Sequence, residues 1–184
     1  MINHGIPDFS NAKISWEDYD KDNDIDLLIS GVENDGNIIT AIYRNDLLFG
    51  FTKMDFDFIN VHSGSVSWTD YDNDTKQDVF ITGINSEGIV ISKLYKNNGF
   101  GFNEVSTPFH SLYNSTYEFY DLDNDGDNDV LFSGQSAENK NSYISKIFIN
   151  NNGIFNESAN NIPSVSKGSV SWGDFDADGF PDFV

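Results

Sequence analysis

Asp121, Asp123 and Asp125 take every second position of the run DLDNDGDND, and Asp127 and Asp129 continue the alternation past Gly126. Carboxylates crowded this closely repel one another, and neither a helix nor a strand gains from holding them together. The chemistry that suits such a run is capture of a hard divalent cation, with calcium taking roughly six to eight oxygen ligands. Gly126, at the sixth place of the run, supplies the positive φ that a sharp turn around an ion requires. General acid–base catalysis needs a group with a suitably placed pKa, whereas these clustered carboxylates are committed to metal on this reading.

The run recurs. SWEDYDKDNDIDLLISG begins at Ser15, SWTDYDNDTKQDVFITG at Ser67 and SWGDFDADGFPDFV at Ser171, so the first aspartates are Asp18, Asp70, Asp121 and Asp174, spaced by 52, 51 and 53 residues. Counting from each of them, positions 1, 3, 5 and 9 are expected to give side-chain oxygens and position 7 a backbone carbonyl. The predicted ligands are Asp18, Asp20, Asp22, Asp24 and Asp26; Asp70, Asp72, Asp74, Lys76 and Asp78; Asp121, Asp123, Asp125, Asp127 and Asp129; and Asp174, Asp176, Asp178, Phe180 and Asp182. Position 5, then glycine, then a carbonyl matches the chemistry of the EF-hand loop. The fold does not match, since each run passes directly into a strand-like apolar segment such as VLFSG. Position 6 orders the loops. Gly126 and Gly179 accept positive φ freely, Asn23 at modest cost, and the β-branched Thr75 poorly, which with the nearby Lys76 puts loop 70–78 last. Calcium suits the runs better than magnesium, which prefers strict octahedral geometry and retains several waters.

The chain has 30 acidic and 10 basic residues, a net charge of −20. The four loops hold 18 of the acids and two of the bases, Lys21 and Lys76, so the acidity is concentrated in them. That balance excludes nucleic acid and anionic lipid as expected partners, because both rely on basic patches. No apolar run is long enough to span a membrane, so no membrane insertion is expected. With no cysteine, disulfides and thiol chemistry are excluded. His4, His62 and His110 share no repeat position and are expected at the surface or in loops rather than in catalysis.

The loops must be held by what lies between them. Around the second run, GSVSWTDYD leads in, DVFITG leads out, VISKLYKN follows the turn INSEG, and GFNEV follows NNGFG. Val, Ile, Phe, Tyr and Thr fill these segments while Gly, Asn, Asp and Ser divide them, the pattern of short antiparallel strands with little helix. Four strands repeated at a period near 52 predict an all-β fold, a β-propeller of four-stranded blades. The expected repeats cover about 6–58, 59–108, 109–161 and 162–184, the last cut short, giving about three and a half blades of a partial propeller. Trp16, Trp68, Phe119 and Trp172 stand two residues before each first aspartate, and Tyr19, Tyr71, Leu122 and Phe175 one after it. Strand alternation sends the two sets to opposite faces, either to pack between blades or, for some Trp rings, to form sugar-stacking platforms. The opening residues lack a basic start and a long apolar core, so they do not read as a signal peptide. IPDFSNAKISW aligns with IPSVSKGSVSW from residue 162, and the chain is expected to be a fragment of a larger propeller, with a self-assembling half-propeller as the alternative.

With its D-x-D-x-D-G-x-x-D loops and the glycines Gly31, Gly83 and Gly134, the chain resembles the FG-GAP and VCBS repeats, calcium-loop blades of integrin α-chain heads and of many bacterial surface and secreted proteins. His62 and Ser63 stand where the FG dipeptide would be, and no Ala-Pro follows the three glycines, which places the chain nearer the bacterial VCBS-like variety. The resemblance implies a noncatalytic module that recognises protein or carbohydrate in adhesion or targeting, at an extracellular or cell-surface location where calcium is abundant. The alternative is the propeller portion of a secreted carbohydrate-active enzyme, such as a polysaccharide lyase, or an accessory domain of a hydrolase.

Overall fold

A computed structural model describes residues 5–139, 142–159, 162–165, 168–177 and 181–183. Strands β1 (Phe9–Glu17), β2 (Asp26–Glu33), β3 (Ile38–Asn45) and β4 (Phe51–Lys53) form one antiparallel sheet in the order of the chain. β5 (His62–Thr69), β6 (Asp78–Ile84), β7 (Val90–Asn97) and β8 (Phe102–Val105) form a second. β9 (Leu112–Tyr120), β10 (Asp129–Ser136), β11 (Tyr143–Asn151) and β12 (Ile154–Glu157) form a third, and β13 (Trp172–Gly173) pairs with β14 (Asp182–Phe183). The helical content among the described residues is one 3-10 turn, Leu47–Phe49. The protein is therefore all-β, built of propeller-like blades whose first strands lie side by side, β1 against β5 and β5 against β9.

The second strand of each blade, DLLISG, DVFITG or DVLFSG, is buried on both faces. Its side chains alternate between the two neighbouring blades, as a two-residue period requires. In the second blade Val79 and Ile81 point toward the first blade, where they meet Leu28 and Ile42. Phe80 points the other way, toward Val130, Phe132 and Phe148 of the third. Burying a side chain such as Phe80 completely is worth about 2–3 kcal/mol.

The first strands share a bulge. Register shifts fall between Ser10 and Lys13 in β1, between His62 and Ser65 in β5, and opposite Ser133 and Gln135 in β9. Asn11, Ser63 and Asn114 occupy these bulges with φ of 52°, 54° and 47°. Ser63 thus adopts the left-handed conformation that a glycine of an FG dipeptide would take without strain. Opposite the bulge the chains approach closely: a Cβ on Gly83 would lie 2.7 Å from the carbonyl oxygen of His62. This steric demand accounts for the glycine shared by the three second strands.

Candidate metal centres

Each acidic run connects the first strand of a blade to the second and is shaped by its own carboxylates. In the third blade the Asp121 carboxylate accepts the N–H groups of Asp125 and Gly126 at 3.1 and 3.0 Å, folding the run back on itself. Asp18 does the same for Asp22 and Asn23, and Asp70 accepts from Thr75. Asp22, Asp74 and Asp125 then accept the N–H two residues on, from Asp24, Lys76 and Asp127. Two left-handed residues complete each of these three turns: Lys21 and Asn23, Asn73 and Thr75, Asn124 and Gly126. Thr75 adopts φ of 70° despite its branched side chain, so loop 70–78 closes like the others. In the fourth run Ala177 is left-handed, while Asp178, Gly179 and Phe180 lie outside the described residues.

The turns bring carboxylates together. Oxygens of Asp18, Asp20 and Asp22 lie within 4.8 Å of one another, as do those of Asp70, Asp72 and Asp78, of Asp121, Asp123 and Asp129, and of Asp174, Asp176 and Asp182. Positions 1 and 3 thus meet in every run, joined by position 5 in the first and position 9 in the other three. No described loop gathers all four side chains that the spacing predicts, and Asp26, Asp74 and Asp125 stand outside these groups. In loop 70–78 the Oδ1 atoms of Asp70 and Asp72 are buried with no hydrogen-bond partner. Buried acceptors left unpaired are costly, and a cation held by these carboxylates would offset that cost, so the residues present fit a hard divalent ion. Loop 70–78, placed last on its position 6, is the loop where this fit is most directly visible.

Position 9 has a second task. The Asp26 carboxylate accepts the N–H of Tyr19 at the start of its loop and that of Asn45 at the end of β3. Asp78 joins Tyr71 to Asn97, and Asp129 joins Leu122 to Asn150, in the same way. All three carboxyls are buried, and burial raises them, Asp26 to about 6 and Asp78 to about 7, against the opposing pull of these N–H donors. At Asp74 burial also works upward, but hydrogen bonds from Lys76 and Lys96 outweigh it and hold the carboxyl below its ordinary range.

Two sets of residues that sequence reasoning missed link neighbouring blades at this end. Asn97 donates to Gln77 of its own loop and to the carbonyl of Tyr19 in the preceding blade, at 3.2 and 3.5 Å. Asn150 donates likewise to Asn128 and Tyr71, at 3.1 and 2.7 Å. Their signal was present, since Asn45, Asn97 and Asn150 recur at the loop period. Loop tips also touch: Lys21 Nζ donates to Thr75, and Asn73 donates to the Gly126 carbonyl and to Asp127.

The family model of the FG-GAP-like repeat matches residues 121–184. The matched span begins at the first aspartate of the third run and includes the fourth. Residues 121–184 are thus similar to the FG-GAP-like repeat. No curated protein was found that is similar enough to count as a relative. The two earlier runs, outside the span of the FG-GAP-like match, share its loop turn, its position 9 latch and its strand order.

The aromatics around the loops divide by blade. Tyr19 stacks on Trp68 across the first blade boundary, centroids 5.5 Å apart and planes 10° from parallel, and Tyr71 stacks on Phe155 across the second. Trp16 and Phe175 are exposed. His62 pairs with Ser63 and His110 with Glu157, and His4 lies outside the described residues.

Proposed function

We propose that this chain is a calcium-stabilised, noncatalytic repeat module that recognises a protein or carbohydrate ligand outside the cell. The observation that carries the calcium reading is the pair of buried, partnerless oxygens of Asp70 and Asp72 inside a turn that also gathers Asp78. In this reading Ca2+ is structural: it ties the first strand of each blade to the second, and its binding free energy adds to folding stability. The carboxyls with the largest upward shifts, Asp26 and Asp78, spend both oxygens on backbone N–H groups, which suits latches rather than general acids. An extracellular or cell-surface location follows from the calcium concentration such loops need.

Recognition is assigned to the loop-bearing end of the blades. The hairpins joining third to fourth strands stand at that end and carry exposed Leu47, Leu48, Phe49, Phe100 and Ile154, an apolar rim beside the acidic loops that suits a protein partner. A groove of about 480 Å³ between the first two blades, lined by Tyr19, Lys21, Phe56 and Phe102, lies next to Phe100. Exposed Phe175 favours carbohydrate as the second reading. The face on which Ile14 and Trp16 are about half exposed, where Val66 and Trp68 at the same places in the next blade are buried, is read as a seat for a further blade of a longer chain or of a second copy.

The test is a screen of the chain against a glycan array and against immobilised cell-surface protein, each in calcium and in chelator. Capture that requires calcium is the expected result. Cleavage of a polysaccharide by the chain would replace this reading with the enzyme alternative.

A further inference from the structure

The three complete loops differ in the residue next to the shared asparagine at the end of the third strand. Register places Arg44, Lys96 and Ile149 at one position, immediately after the paired Tyr43, Tyr95 and Phe148. Ile149 has no charge. Arg44 gives its ion pair to Asp46, at 2.8 Å, and acts on Asp20 of its loop only through space. Lys96 turns into its loop: its Nζ hydrogen-bonds to Asp72 Oδ2 and lies 3.2 Å from Asp74 Oδ2. Lys76 Nζ contacts the same Asp74 oxygen at 2.9 Å.

The consequence is a division of labour between the oxygens of one carboxylate. Asp72 gives Oδ2 to Lys96, and its Oδ1 is left buried and partnerless, while the carboxylate as a whole belongs to the set with Asp70 and Asp78. Asp74 has both oxygens engaged, Oδ1 by the Lys76 N–H and Oδ2 by two ammonium groups, and stands outside the converging set. Loop 70–78 also has four carboxylates where loops 18–26 and 121–129 have five. Two ammonium groups against four carboxylates relieve much of the repulsion that calcium would otherwise have to offset.

We propose that Lys96 is the built-in counter-ion of loop 70–78: it holds Asp72 and Asp74 in place without calcium, at the expense of the calcium affinity of that loop. The inference rests on the calcium reading of the loops for its second half, while its first half concerns the calcium-free protein alone. The second blade then keeps its loop folded when calcium is scarce, while the first and third loops respond to the ion.

Lys96→Met keeps most of the aliphatic stem and removes the charge. Lys93→Met, on the same strand as Lys96, removes an ammonium paired with Glu104 of β8 and is the control for net charge. In chelator, the Lys96 variant is expected to melt lower than the control and to exchange the amides of residues 70–78 at least tenfold faster. In a calcium titration, one site is expected to tighten at least tenfold in the Lys96 variant, with the others unchanged. A Lys96 variant that matches the control in chelator, or that binds calcium more weakly than the wild type, overturns the proposal. If Lys96→Met does not fold in chelator, recovery on adding calcium together with a stable Lys96→Arg in chelator supports it, and failure of Lys96→Arg as well overturns it. Wild-type protein that takes up no calcium while the chelator difference persists overturns the calcium reading and the affinity half of the proposal, and leaves the counter-ion role standing.

Discussion

Asp26 and Asp78 give the calcium-free protein an unusual dependence on pH. Burial raises both carboxyls, to about 6 and about 7, so each favours the folded state when protonated. Their contribution is fully present below the ordinary value of 3.8 and is lost as pH rises through the raised values. Asp74 and Glu157, held low with the help of Lys76 and Lys146, act oppositely and lose their contribution only as pH falls below the ordinary carboxyl range. The two sets therefore act in different windows. Thermal melts in chelator are expected to give a higher midpoint at pH 5 than at pH 8, and calcium is expected to shrink the difference by holding the carboxylates charged. A chelated midpoint that rises steadily from pH 5 to pH 8 would contradict this assignment. The spacing of the aspartates made most of these residues legible as a group but not their separate duties. A one-dimensional pattern shows that Asp78 and Asp129 recur, whereas their link to Asn97 and Asn150 needs the third strand to return beside the loop. The left-handed residue at position 4 was hidden for another reason: Lys21, Asn73, Asn124 and Ala177 share no side-chain type that announces positive φ.

At the scale of the strand, the alternation of DVFITG fixes which blade each side chain meets, and the aromatic before each loop reports whether a neighbour is present. Trp68 is buried against Tyr19 and its indole N–H reaches the Ser15 carbonyl at 3.3 Å. Trp16, at the same position one repeat earlier, is 48% exposed. Trp68→Ala is expected to cost about 3–5 kcal/mol in urea unfolding, the range for removing a buried aromatic ring. Trp16→Ala is expected to cost under about 1 kcal/mol, as for a side chain still open to water. Equal costs would show that packing between blades does not govern this position. Both uses of the ring, packing and exposure, were open in the sequence because the repeat places the two tryptophans identically. Only the presence of a neighbouring blade separates them. The first-strand bulges escaped sequence reading too, since Asn11, Ser63 and Asn114 look like ordinary polar strand residues.

Across the whole molecule, the blades meet through apolar faces between their sheets and through polar contacts between their loops. Asn97 and Asn150 reach back to the preceding blade, and Lys21 and Asn73 reach forward to the next loop. An ion that stiffens one loop thus supports the blade boundary beside it, and stability should respond to calcium as a property of the array. The measurement that tests this most directly is calcium titration calorimetry on the whole chain, paired with a thermal melt in chelator. The account predicts that several ions bind per chain and that the melting midpoint rises clearly with calcium. No heat of binding, together with an unchanged midpoint, would reduce the aspartate runs to solvated turns and contradict it.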